Sequence, residues 1–543
     1  MRMLALHLAV LAGIAALQFV LPAYHHTNAA RILVLATYAI GFNIAFGYTG
    51  LLSLGHALFF AGGMYATGLL IDQGGWQPWA ALLAGPVAGG VLAAGVGLLA
   101  LRTAGPAFMI VTLMFAQAFH LAILYWGRFT GGDEGFTLSG AARRIGPFDL
   151  ADPTTRYGAA FLLFAAAMLG CLALVRSRTG RVLIAVRENE ERTRMLGYDT
   201  FRAKLLALAL SGLLSGAAGA TYGLMFGYVG GSFAAIQYSI LPLIWVLLGG
   251  AGTVLGPLLG TALLFYPDRL GLFRHHGVAV RGGGGADPPR PLRAARAPGS
   301  SARLRPPEPA MSLLEARGLV RHFGGLRAID GVDFDLAAGE IHALIGPNGA
   351  GKSTLVGLLS GRIPAQAGTI RFDGRDITRL PAHARVGCGI AYAFQITSVF
   401  PRLTTFDNVA LAVQRTGARD LAAATEAALA RVGLSGEAGQ LAGTLSYGHQ
   451  RLLEIAMGLA LAPRLLILDE PTQGLASGEI ESFMTLVRSL VPEVTVLLIE
   501  HNMEVVMDLA QRITVLNAGR VLARGTPAEI QADRAVQAAY LGG

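Results

Sequence analysis

The nine residues Gly346-Pro347-Asn348-Gly349-Ala350-Gly351-Lys352-Ser353-Thr354 follow a short apolar run, Ile341-His342-Ala343-Leu344-Ile345, and precede a helical pattern. Their spacing, GxxxxGK[ST], is chemistry for phosphate. The glycines let backbone N–H groups converge on phosphate oxygens, and the helix N-terminus adds a favourable dipole. Lys352 is expected to reach the β- and γ-phosphates of a nucleotide, with Ser353 a ligand of Mg2+. Further on, Leu465-Leu466-Ile467-Leu468 ends in Asp469-Glu470. Asp469 is placed to hold Mg2+ through water, and Glu470 to polarise an attacking water. An acidic pair after a strand can simply cap a helix; the phosphate loop upstream favours the chemical role.

Leu445-Ser446-Tyr447-Gly448-His449-Gln450 precedes Arg451 and a helical run. It resembles the signature motif of ABC-type ATPases, with Tyr447 and His449 departing from the commonest LSGGQ form. Such variants suit the branched-chain branch of that family. Ser446, Gly448 and Gln450 keep the small polar surface that can approach a γ-phosphate.

The resemblance implies further roles. Gln395, after Ala391-Tyr392-Ala393-Phe394, matches the loop that senses Mg2+ and contacts the permease. His501, after Val496-Leu497-Leu498-Ile499-Glu500, matches the switch histidine at the γ-phosphate. The expected catalytic set is thus Glu470, His501 and Gln395, with Ser353, Gln395 and Asp469 around the metal. Phe323 stands where the family stacks an aromatic on adenine, the alternative being a core position. The turn Gly474-Leu475-Ala476-Ser477 lacks the usual Asp of the D-loop, which puts that residue's dimer contacts in doubt. In this family the signature completes the site of a facing subunit, so a second ATPase subunit is implied.

These motifs need a scaffold. Residues 311–543 supply short apolar runs alternating with amphipathic helices, as a parallel sheet wrapped by helices requires. The remainder is different in kind. The 543-residue chain exceeds one core, is 53% hydrophobic and only 14% charged, and has a mean hydropathy of +0.52. Soluble proteins carry about 25% charged residues, so lipid must solvate much of this one. Runs near the roughly 20 residues needed to cross a bilayer are 4–22, 31–49, 51–71, 79–101, 105–126, 157–175 and 203–226. The stretch 236–267, broken at Gly249-Gly250-Ala251-Gly252, reads as two short helices or a re-entrant pair. The start resembles a signal peptide without a convincing cleavage site, so an uncleaved first helix is expected.

The net charge of +9 lies in loops beside apolar runs and in one connector. That is a topology pattern, and it excludes nucleic acid as the partner. Arg176, Arg178, Arg181, Arg187, Arg192, Arg194, Arg202 and Lys204 place 176–204 in the cytoplasm. Cys171 and Cys388 have no metal or redox spacing.

Gly47-Tyr48-Thr49-Gly50-Leu51-Leu52-Ser53-Leu54-Gly55-His56-Ala57 resembles the permease signature of branched-chain amino acid importers. So do Gly105-Pro106-Ala107-Phe108, Val111-Thr112-Leu113 and Thr130-Gly131-Gly132. Arg187-Glu188-Asn189-Glu190, with Leu196-Gly197 and Lys204, resembles that family's coupling loop, which implies a short helix seated in a cleft of the ATPase. His56, ionisable within an apolar run, invites a functional role; helix packing against a neighbouring carbonyl is the favoured reading, and Asn43 is read with the same caution.

The expected fold is multi-domain: an all-α polytopic membrane domain (1–267), then an α/β P-loop ABC-type nucleotide-binding domain (311–543). Between them, 268–310 holds eight arginines, seven glycines and seven prolines. Eight arginines in lipid would cost about 20 kcal/mol, so a disordered linker is expected. Counting spans raises a difficulty. With 176–204 inside, 203–226 exits and a hairpin at 236–267 returns and exits again, which leaves the ATPase outside. The related permeases continue with one more apolar helix, and a frameshifted junction would explain its loss.

The expected function is ATP-driven import of branched-chain or related amino acids across the cytoplasmic (inner) membrane, with ATP and Mg2+. The resemblance implies a second permease subunit, a second ATPase subunit and an extracytoplasmic solute-binding protein as partners. Urea, short amides or another small polar solute is the alternative cargo. A membrane-anchored regulatory ATPase, or a passive channel fused to an ATPase, is the rival of a different class.

Overall fold

The computed structural model describes residues 2–269 and 312–541. Among the described residues, five helices are long and apolar enough to cross a membrane: His25–Tyr48, Pro78–Ala100, Pro106–Tyr125, Pro153–Arg176 and Thr200–Phe226. His56–Asp72 is a shorter helix of 17 residues, and the apolar helices Leu4–Val20, Ile236–Gly249 and Gly256–Phe265 are also short. The expected run 51–71 therefore starts late. Gly50 turns the chain at φ +78°, and a side chain at Gly55 would strike the carbonyl of Thr112 at 2.5 Å, so the segment before His56 packs as extended chain.

Lipid gives no hydrophobic drive between helices, so close backbone approach must hold them together. Helix Thr200–Phe226 does this on two sides. A Cβ at Gly63 would meet the Gly216 carbonyl at 2.3 Å, and one at Gly89 the Gly212 carbonyl at 2.3 Å. The stretch 236–267 is a helical hairpin, Ile236–Gly249 and Gly256–Arg269. Its arms touch at Gly260 against the Trp245 carbonyl and at Gly249 against Gly256.

His56 is fully buried, with Nε2 2.7 Å from the Ser211 hydroxyl and its ring edge-on to Phe42 and Phe59. Its partner is thus a hydroxyl rather than the expected carbonyl. Asn43 clamps the hairpin turn, donating to the Thr253 carbonyl (2.8 Å) and accepting from Gly252 N–H (3.0 Å).

The basic segment is cut into short helices by its own caps. Ser177 accepts from Gly180 N–H and starts helix Arg178–Glu188; Asn189 accepts from Arg192 N–H and starts Glu190–Met195; Asp199 accepts from Arg202 N–H and starts Thr200–Phe226. These two short helices lie against the ATPase.

The hairpin ends far from that contact. Thr200 donates to Glu190 at 2.9 Å, while Phe226 lies about 40 Å along the same 27-residue helix. The Arg31 guanidinium sits 4.5 Å from the Phe226 ring and 5.9 Å from Phe265. The helix ending at Arg269 therefore points to the face remote from the ATPase contact, and the difficulty read from span counting is present in the geometry. Of the expected linker, 270–310 lies outside the described residues.

In the ATPase half, six strands form one sheet in the order Ile390–Ala393, Leu465–Asp469, Thr495–Ile499, Ile341–Ile345, Arg512–Asn517, Arg520–Gly525. All neighbours are parallel except the last pair. Ile341–Ile345, Leu465–Asp469 and Thr495–Ile499 are buried throughout, which is why they read as unbroken apolar runs. Register pairs Leu468 with Leu498 and Ile499 with Leu344, so three loops that follow these strands leave the sheet at one edge. A smaller antiparallel sheet carries Ser312–Phe323, Leu326–Ala337, Ala367–Phe372 and Arg375–Asp376.

Candidate functional site

The edge where those loops emerge holds a cavity of about 380 Å³, lined by Phe323, Asn348, Gly349, Ala350, Gly351, Lys352, Ser353, Thr354, Gln395, Glu470 and His501. Two glycines fix the loop's path. Gly346 stands at φ +151° and Gly351 at φ +104°, and a side chain on either would strike a backbone carbonyl, Leu516 at 2.2 Å or Ala328 at 2.4 Å. Lys352 begins helix Lys352–Ser360 and donates to the carbonyls of Gly346 (2.6 Å) and Pro347 (3.1 Å). Burial lowers its ammonium pKa, and the Glu470 and Asp469 carboxylates oppose that shift.

Glu470 sits at φ +46°, a strained conformation for a residue with a side chain. Its N–H donates to the Ile499 carbonyl at 2.8 Å, and its two carboxylate oxygens have separate partners. Gln395 Nε2 donates to Oε2 at 2.8 Å, and His501 Nε2 lies 2.8 Å from Oε1. Two residues distant in sequence thus converge on one carboxylate. Phe323 is 44% exposed, with the Arg321 guanidinium 4.8 Å from its ring. It is a surface platform at the cavity and not a core residue.

Asp469 is set behind the cavity wall. Its Oδ2 accepts from the Tyr392 hydroxyl at 2.6 Å, and burial raises its pKa. The groups expected to hold the metal, the Asp469 carboxylate, the Ser353 hydroxyl and the amide of Gln395, whose nitrogen is engaged with Glu470, would offer it oxygen alone. An all-oxygen set of this kind suits Mg2+, which needs only one or two carboxylates beside substrate phosphates.

The signature residues lie elsewhere. Ser446 caps helix Tyr447–Leu459, accepting from His449 N–H, and Gln450 Nε2 donates to the Leu445 carbonyl at 3.0 Å. A Cβ on Gly448 would meet Glu479 Oε1 at 2.1 Å. Ser446, Gly448 and Gln450 do not line the phosphate-loop cavity. The fold sets them apart from that cavity, with Ser446 exposed and Gly448 buried against Glu479.

Sequence reasoning missed Glu500. One of its oxygens accepts from the Thr472 amide (2.9 Å) and hydroxyl (2.6 Å), the other from the amides of His501 and Asn502. A buried carboxylate between Ile499 and His501 was the available signal, since it must find such donors.

The coupling segment is the second site. Arg187 donates to the Gly47 carbonyl and Glu190 accepts from Lys204, so both brace the permease rather than reaching the ATPase. Glu188 accepts from Arg402 N–H at 3.3 Å, and Asn189 Nδ2 donates to Ser398 Oγ at 3.0 Å. Leu196 is buried in an apolar cluster with Val409, Val413 and Leu453. Gly197 takes φ +87° against Val386 and Arg415. The deepest contact is Arg192, which the sequence marks only as one more positive charge. Its guanidinium is buried, donates to the Tyr392 carbonyl at 2.8 Å, and pairs with Glu454 at 3.4 Å.

The fold and these sites define an ABC transport ATPase joined to a helical permease. A model described as branched-chain amino acid transport system / permease component matches residues 27–273. The ABC transporter model matches 329–473, and a branched-chain amino acid ATP-binding cassette transporter model matches 520–543. The chain is 40% identical over 249 residues to the high-affinity branched-chain amino acid transport ATP-binding protein BraF of Pseudomonas aeruginosa, covering 42% of this chain and 98% of that one. It is 37% identical over 252 residues to LivG of Escherichia coli, described in the same words, covering 42% and 98%. A crystal structure of a nucleotide-free ATP-binding cassette from an ABC transporter is 27% identical and matches 43% of this chain and 100% of its own, with TM-score 0.39. The chain belongs to the branched-chain amino acid family of ABC transporters, as a multi-pass membrane permease and an ATP-binding transport ATPase in one polypeptide.

Proposed function

We propose that the chain imports branched-chain or related amino acids across the cytoplasmic membrane, driven by ATP hydrolysis on the cytoplasmic side. Residues 1–267 form the permease domain and 311–543 the ATPase domain. The observation that carries this is the convergence of Gln395 and His501 on Glu470, in a lobe whose surface buries Arg192 of the permease.

Glu470 acts as the base that polarises the attacking water, held by Gln395 and His501. Lys352 leaves the loop carbonyls to meet the β- and γ-phosphates, and Phe323 stacks on adenine. Ser353, Gln395 and Asp469 would hold Mg2+, which would supply positive charge to neutralise the phosphate oxygens. Ser446, Gly448 and Gln450 face the nucleotide of a second ATPase subunit, since they stand apart from this chain's own phosphate loop. A second permease subunit and an extracytoplasmic solute-binding protein complete the transporter.

Uptake of labelled leucine and of labelled urea into vesicles carrying the assembled transporter tests the cargo. Leucine is expected to accumulate with ATP and urea is not; the reverse would overturn the amino acid assignment.

A further inference from the structure

A continuous chain of hydrogen bonds runs from the permease into the nucleotide site. Glu191, on the short helix Glu190–Met195, accepts from Arg362 Nε at 2.7 Å. Arg362 Nη1 donates to the Tyr392 hydroxyl at 2.9 Å, and that hydroxyl donates to Asp469 Oδ2 at 2.6 Å. The Arg362 guanidinium also lies over the rings of Tyr392 and Phe394, 5.1 and 5.0 Å from their centroids. Exposure falls along this path, from a half-exposed Glu191 to a Tyr392 that is 2% exposed.

The direction of each bond is fixed by chemistry. A guanidinium has only donors, so it occupies an acceptor side of the Tyr392 hydroxyl, whose single proton is left for Asp469. Glu191 holds Arg362 in the place where it can do this. The same helix grips the strand carrying Tyr392 a second time, because Arg192 donates to the Tyr392 carbonyl. If the helix leaves its cleft, Arg362 loses its carboxylate partner and the strand its carbonyl contact.

We propose that Glu191, Arg362 and Tyr392 are positioning residues through which the docked coupling helix orients the Asp469 carboxylate. The inference rests on the reading of Asp469 as the residue that holds Mg2+. It makes the metal end of the ATPase site responsive to the permease, through side chains that touch neither solute nor nucleotide. Tyr392 is buried and packed edge-on to Phe394 at 4.9 Å, whereas the Arg362 side chain is partly exposed.

Mn2+ can stand in for Mg2+ in an electron paramagnetic resonance titration of the full chain with its partner subunits and a non-hydrolysable ATP analogue. Outer-shell partners of metal ligands typically contribute tenfold or more, so Tyr392→Phe is expected to weaken Mn2+ about tenfold and Glu191→Gln about threefold. Affinity for the analogue without metal stays at the wild-type value in both, which separates positioning from damage to the fold. Asp469→Asn is expected to lose Mn2+ more severely than either. Wild-type Mn2+ affinity in Tyr392→Phe or in Glu191→Gln, with Asp469→Asn impaired, overturns the relay. Wild-type affinity in Asp469→Asn overturns instead the assignment of Asp469 on which it rests.

Discussion

Arg192 of the permease half and Glu454 of the ATPase half stand 3.4 Å apart with both side chains out of solvent. Glu454 also accepts from Arg451 at 2.8 Å and from the Phe394 amide at 2.8 Å, next to Gln395. Arg451 in turn donates to the carbonyls of Asp469 and Pro471. One buried carboxylate thus joins the permease, the helix Tyr447–Leu459 that begins inside the signature, and the loop that carries Gln395.

Losing Arg192 leaves Glu454 its pair with Arg451 but takes away one of its two cations and the donor of the Tyr392 carbonyl, and a hydrogen bond to a charged group contributes roughly 1.5–3 kcal/mol. Arg192→Met is therefore expected to loosen the dock while leaving the phosphate loop intact. ATPase stimulation by solute-loaded binding protein should fall at least about tenfold, with nucleotide affinity unchanged. Equal stimulation in the variant and the wild type would contradict this.

Glu470→Gln keeps the shape that Gln395 and His501 hold but removes the basic oxygen. A positioned general base contributes about 10²–10⁴ in rate, so turnover should fall by that order while ATP stays bound. Filter binding of labelled ATP alongside phosphate release checks both halves, and near-wild-type hydrolysis would remove Glu470 from its role.

Lys352→Ala separates binding from chemistry. The ammonium is poised at the loop carbonyls of Gly346 and Pro347. Its loss should weaken nucleotide binding by about tenfold or more, since charge-assisted contacts to phosphate contribute roughly 1.5–3 kcal/mol. Titration with a fluorescent ATP analogue reads this directly.

The hairpin that ends at Arg269 points away from the coupling segment, while the ATPase half is docked on it. A chain that makes both ends meet needs one more crossing, and the Arg-rich sequence 268–310 is unsuited to lipid. Resequencing the junction is expected to reveal a shifted frame that restores an apolar run. An intact frame through 268–310 would contradict that reading.

Motifs that chemistry constrains residue by residue were legible before any coordinates. The phosphate loop, the acidic pair after 465–468 and Gln395 with His501 each carry side chains few other roles require. The long apolar runs were equally plain, because lipid imposes a length on them. Helix starts within those runs were less so; His56 begins its helix where the Thr112 carbonyl excludes a side chain at Gly55, a contact between distant segments. The same reason hid Arg192, Glu454, Glu500 and Tyr392. Each is an ordinary residue in its local sequence and acquires a role only through a partner elsewhere in the chain.

The central claim is that hydrolysis at Glu470 and solute movement through the permease are one process. Leucine uptake into proteoliposomes that contain the assembled transporter, its binding protein and internal ATP measures it most directly. Wild type should accumulate leucine against its gradient, and Glu470→Gln should not. Leucine flux of equal size in the Glu470→Gln variant would show a passive pathway and contradict the account.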